Sequence, residues 1–122
     1  MKRENRFINK SKKKALRAAE IALGKKAKDT VILELKDLST IADYFVICSG
    51  ENPSQIRAIA EAIQESFPKD RILGKEGMNS ARWVLIDYGD LVINIFNEET
   101  RAYYDLEKLW IDAPRIRIKE QR

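Results

Sequence analysis

The residues best placed to do chemistry in this chain surround one short turn. Two apolar runs, RWVLID (82–87) and DLVINIF (90–96), are joined by Tyr88-Gly89 and read as the strands of a hairpin. With Tyr88-Gly89 as a two-residue loop, Asp87 faces Asp90, Leu85 faces Val92 and Trp83 faces Asn94. Val84, Ile86, Leu91, Ile93 and Ile95 share the opposite side and read as core. Like charges directly opposed on a strand pair repel, so the two aspartates call for a cation or several N–H donors. A large aromatic beside paired carboxylates is the residue mix of a protein-binding hot spot that receives Lys or Arg. Each aspartate can equally cap the turn through its own backbone. Trp83 can equally lie beneath the last helix, against Leu106 or Trp110.

Catalytic alternatives find less support. Ser49-Gly50, between a strand and a helix, has the setting of a phosphate-binding turn, but lacks the Lys and Gly spacing of a P-loop and the three glycines of a dinucleotide loop. A two-metal nucleotidyl-transfer site needs acids alternating on one strand, whereas Asp87-Tyr88-Gly89-Asp90 is a turn. The chain has no histidine, which removes the commonest general base, every Ser-His or Cys-His pair and the usual zinc ligand. Its one cysteine, Cys48, lies inside an apolar run and reads as a packed, inert thiol. No catalytic set, metal or cofactor is expected.

The elements that hold the hairpin are legible from period and punctuation. Ser11 can cap a first helix carrying the apolar stripe Leu16, Ala19, Leu23 and Ala27. Thr30–Leu35 reads as a strand, and Asp43–Ser49, apolar almost throughout, as a central strand covered on both faces. Asn52, Pro53 and Gln55 announce a second helix with Ile56, Ile59, Ala60, Ile63 and Phe67 on one side, stopped by Pro68. A short strand is expected at Arg71–Leu73, parallel to the strand through Val46 by the right-handed crossover rule. A last helix runs Glu98–Trp110, and Ala113-Pro114 closes the domain. This order predicts an α/β fold, a three-layer α/β/α sandwich on a mixed sheet of about five strands.

At 122 residues the chain fits one domain, and 44% hydrophobic with 34% charged residues excludes general disorder. No apolar run approaches the roughly 20 residues of a membrane span, and the N-terminus lacks an apolar signal region, so a cytoplasmic protein without membrane contact is expected. Charge is uneven. Residues 1–28 balance to +9 and 115–122 to +3, while 29–114 balance to −8. The organisation expected is a flexible basic leader (1–10), one domain (11–114) and a basic tail (115–122). An acidic body of this kind suits a basic partner, and basic ends are candidates for contact with polyanion such as ribosomal RNA. An edge strand and exposed aromatics would also allow two copies to pair.

Four strings in order, TIADYF (40–45), VICSG (46–50), RWVLIDYGDLVINIF (82–96) and YDLEKLW (104–110), closely resemble the ribosome silencing factor family, RsfS or Iojap-related, across roughly Ala15 to Pro114. The resemblance implies a non-enzymatic factor that binds ribosomal protein L-fourteen on the large subunit, blocks joining of the small subunit and lowers translation when nutrients are scarce. Organellar relatives assist large-subunit assembly. It also implies a nucleotidyltransferase-like topology without the metal-binding acids. The family tryptophan that contacts the ribosomal protein matches Trp83, and the acidic turn matches Asp87–Asp90. The partner-binding set is then Trp83, Asp87, Tyr88, Asp90 and Asn94, with Glu98, Tyr104 and Trp110 in support. Where relatives usually carry histidine this chain has Asn94 and Asn97, which can donate or accept but cannot titrate.

Overall fold

Two strands without polar alternation form the spine. β2 (Tyr44–Ser49) and β5 (Leu91–Phe96) are buried at every position and pair in parallel, Tyr44 beside Leu91 and Ser49 beside Phe96. A strand covered on both faces has no place for alternating polar residues. The computed structural model describes residues 2–118, with side chains from Lys10 onward. β1 (Lys28–Glu34) lies antiparallel to β2, and β4 (Trp83–Asp87) antiparallel to β5. β3 (Gly74–Glu76) extends the sheet beyond β4, and β6 (Arg115–Ile116) beyond β1, giving the order β3-β4-β5-β2-β1-β6.

The mixed sheet therefore has six strands rather than about five. The parallel partner of β2 is β5, reached through α2, β3 and β4, and not the strand that directly follows the second helix. That strand also sits later than expected, at Gly74–Glu76 instead of Arg71–Leu73. The sixth strand belongs to the segment expected to be a tail. Arg115-Ile116-Arg117-Ile118 alternates with the period of a strand. Ile116 sits opposite Ile32 and packs on the core, covering an edge β1 would otherwise leave open. Residues 119–122 of that segment lie outside the described residues.

α1 (Lys2–Gly24) and α2 (Pro53–Ser66) cover one face. α1 starts well before Ser11 and takes in the segment expected as a flexible leader, a stretch with neither Gly nor Pro to break it. Its buried stripe is Ala15, Ala18, Ala19 and Ala22, each with 0% exposure, with Leu16 and Leu23 at the margins. Four methyl side chains let the helix axis lie close to the sheet. α2 begins as its signals require: Asn52 accepts from the Gln55 backbone N–H at 2.8 Å, and Pro53 is the first helical residue. The Gln55 side chain also donates to the Lys25 and Lys26 carbonyls, tying the start of α2 to the end of α1.

The other face carries α3 (Glu98–Tyr104) and α4 (Leu106–Leu109). The single helix expected over Glu98–Trp110 is broken at Asp105, whose backbone is left-handed at φ +46°. Aspartate tolerates that region, and its carboxylate can start a new turn by accepting from the Lys108 N–H. The break swings Leu106 and Trp110 onto a second core of Leu33, Leu35, Phe45, Ile47, Val92 and Phe96. Helices thus flank both faces of the sheet.

Candidate functional site

The hairpin turn is built from Gly89-Asp90, one residue later than Tyr88-Gly89. Asp87 pairs with Val92, Leu85 with Asn94 and Trp83 with Phe96, a shift of two positions from the expected register. A two-residue loop with glycine at its first position, here at φ +93°, is the type II′ arrangement. An even shift leaves every side chain on its expected face. It does separate Asp87 from Asp90, so the two carboxylates are not opposed.

Trp83 lies half-buried on the α3/α4 side. Its indole N–H donates to the Asn94 side-chain oxygen at 3.0 Å, and its ring stacks on Phe96 at 4.9 Å and meets Tyr104 at 4.8 Å. Leu106 and Trp110, the contacts open to it in sequence, pack instead against the inner part of that face, Trp110 edge-on to Phe45. Asn94 is fully buried between Trp83 and the Val46 carbonyl, so it positions the indole and is not itself a contact surface. Gly77 runs so near the Trp83 carbonyl that a Cβ would come within 1.9 Å of it, which fixes the strand from beneath. Tyr104 and Tyr103 remain 52% and 82% exposed. With Ser80, Arg82, Glu99 and Thr100 they border a hollow of about 350 Å³ over the Trp83 ring.

The other expected residues divide between sites. Asp87 caps its own turn, accepting from the Gly89 N–H at 2.7 Å. Asp90 is held from the α1 side, by the Ser11 hydroxyl at 2.7 Å and by Lys14 at 3.7 Å. A cation is therefore supplied to Asp90 alone, by Lys14, which also binds Asp70 at 3.1 Å and lies 4.4 Å from the Tyr88 ring centre. Tyr88 continues the alternation of Val84 and Ile86 onto the core, where it is buried against Phe67, and so faces away from Trp83. Glu98 is exposed at the far end of α3, 4.0 Å from Lys28, which pairs more closely with Glu51. Of the eight residues named from sequence, Trp83, Asn94 and Tyr104 come together.

Sequence pattern does not by itself point to Arg101 or Tyr103, and Arg101 is the more consequential. Only 12% exposed, it makes two hydrogen bonds to Glu107, each 3.0 Å, and donates to the Ser49 hydroxyl at 2.8 Å and the Asp29 carbonyl at 2.7 Å. One guanidinium thus ties α3 to α4 and to the ends of β1 and β2. The signal for Tyr103 was Asn97: as a helix cap, which it is, it places Glu99 and Tyr103 one turn apart on one side. The Arg101 bond also occupies the hydroxyl of the proposed phosphate turn. A Cβ at Gly50 would lie 2.7 Å from the Ile56 side chain, so that turn is packed against α2. Burial pushes the Cys48 thiol up to about 12, against a smaller opposite pull from Arg101.

Fold and surface together define an α/β domain of mixed sheet, sealed by two helices on one face and presenting aromatic side chains on the other. Residues 8–122 match the family described as "Ribosomal silencing factor during starvation", a match that takes in the C-terminal segment expected to lie outside it. The chain is 44% identical over 99 residues to a ribosomal silencing factor RsfS of Bacillus subtilis, covering 80% of this chain and 84% of that one. It is 46% identical over 97 residues to that of Halalkalibacterium halodurans, covering 78% and 83%. A crystal structure from Bacillus halodurans superposes with a TM-score of 0.72 at 40% identity, over 83% of this chain and 93% of that one. This chain belongs to the ribosome silencing factor family.

Proposed function

We propose that this protein binds the large ribosomal subunit through ribosomal protein L-fourteen and, by occupying that place, keeps the small subunit from joining. Translation is thereby repressed when nutrients are limiting, in the cytoplasm, by steric occlusion without a catalytic step or cofactor. The observation that carries the proposal is the Trp83 ring, locked by Asn94 and Phe96 and open on its outer side beside Tyr103 and Tyr104. A rigid, half-exposed tryptophan among tyrosines loses little freedom on binding and has the composition of an interface hot spot. The balance of −8 over residues 29–114 suits encounter with a basic protein, and speeds it in a salt-sensitive way.

Co-sedimentation with isolated large subunits tests the surface. Trp83→Ala should weaken association by about 2 kcal/mol, roughly thirtyfold, as hot-spot truncations do. Tyr103→Ala, which removes a side chain 82% exposed, should weaken it without disturbing the fold, as judged by an unchanged melting curve. Retention of full binding by both variants would remove this face as the contact.

A further inference from the structure

We infer that the outer face of α1 is a second docking surface, one that grips the phosphodiester backbone of RNA without reading its sequence. Lys10, Lys13 and Arg17 are all exposed, and their spacing of three and then four residues places them in one row along the helix. The row is about 10 Å long at 1.5 Å per residue. It runs opposite the alanine stripe that faces the sheet.

Lys14 supplies the contrast within the same helix. Its side chain is 15% exposed and committed to Asp70 and Asp90, with the Tyr88 ring beneath it. Among the described residues, none of Lys10, Lys13 and Arg17 has a carboxylate within 4.0 Å. The fold therefore uses Lys14 to fasten the helix and leaves Lys10, Lys13 and Arg17 facing outward.

The partner is a phosphate polymer and not a bilayer, because the helix from Lys10 to Gly24 shows no outward apolar face to insert. Ala15, Leu16, Ala18, Ala19, Ile21 and Ala22 are turned to the core, and an interfacial membrane helix needs that face for itself. Such a row would act as a set of phosphate contacts, each releasing condensed counterions. It also lies across the sheet from Trp83, so both surfaces can be occupied at once. Tethered contacts of that kind raise affinity without either one being strong.

The test uses the full chain and labelled RNA, single-stranded and duplex, followed by fluorescence anisotropy as salt is raised. Three phosphate contacts on a single strand predict a log–log slope of about −2, a roughly 20-fold loss between 50 and 200 mM salt. K10Q/K13Q/R17Q should make the slope shallower by about 2, and R17Q alone by about 0.7, which keeps the test intact if the triple variant is unstable. Trp83→Ala should leave RNA binding unchanged, so the outcome is independent of the subunit-binding proposal above. Absence of RNA binding by the parent protein, or an unaltered slope in both variants, would overturn the inference. So would equally tight binding to phosphatidylserine vesicles.

Discussion

The two faces of the sheet are built from the same strands and are finished differently. On the α1/α2 face, Ile56, Ile59, Ala60 and Ile63 of α2 and four alanines of α1 close over Val46, Cys48, Ile86 and Ile93, and a hollow remains at the β1/β6 edge beside Leu23. On the other, two short helices cover Phe45, Ile47 and Phe96 but stop short of the Trp83 edge. Tyr103, Tyr104, Leu109 and Ile111 remain exposed there. Long helices can seal a sheet, and helices of 7 and 4 residues cannot. The α1/α2 side therefore carries stability along the central strands, while the other side is core around Phe45 and Ile47 and is left for contact at its Trp83 edge.

Substitutions across the sheet sharpen that division. Ile93→Ala, within the sealed core, should cost about 3 kcal/mol in urea unfolding, the sum of lost transfer energy and a cavity. Arg101→Met should cost about 2 kcal/mol, because it leaves Glu107 and the Asp29 carbonyl without their donor. It should also loosen α3 and so lower the near-ultraviolet dichroism of Trp83. Tyr103→Ser should move stability by no more than about 0.5 kcal/mol, as exposed substitutions do, while still weakening subunit binding. A destabilisation as large as that of Ile93→Ala would mean that the contact face is structural after all.

Alkaline pH probes the α1/α2 core through Cys48 and Tyr44. Burial raises the Cys48 thiol from 9.0 to about 12, and burial followed by the Glu34, Asp43 and Asp37 carboxylates raises Tyr44 from 10.0 to about 12. The folded state holds these protons where the unfolded chain releases them. Stability from both groups is therefore complete below their ordinary values and is lost as pH climbs towards about 12. Denaturation midpoints measured upward from neutral pH should begin to fall as pH passes the ordinary values of 9.0 and 10.0 and continue falling towards about 12, and the fall should shrink in Cys48→Ala.

Period and capping made most of the framework readable from sequence. The almost wholly apolar DYFVICS supplies the central strand from Tyr44 onward, and Asn52-Pro53 opens α2 where those residues require it. The misplaced turn has a definite cause: Tyr88-Gly89 and Gly89-Asp90 both give tight loops, and an even change of register preserves the faces that alternation specifies. Pattern alone thereby puts Tyr88 in the loop, whereas it is the third core residue after Val84 and Ile86. Asp90 was open to assignment as a surface acid because its partners, Ser11 and Lys14, lie far away in the chain, where pattern has no reach. Arg101 escaped for the same reason, since its acceptors come from β1, β2 and α4. Trp83 is legible from the hairpin and Tyr104 from the family motifs, and only the three-dimensional structure brings Tyr103 and Arg82 beside them.

The parallel pairing of β2 with β5 also sets a timetable for the nascent chain. Everything between Ser49 and Leu91 must emerge before the spine can close, and the flank of β1 stays bare until Ile116 has followed. Early-made strands thus wait as sticky, half-finished hydrophobic edges while later ones are still being polymerised. A chaperone that shields β1 and β2 during elongation should raise the yield of native molecules more than one added after release.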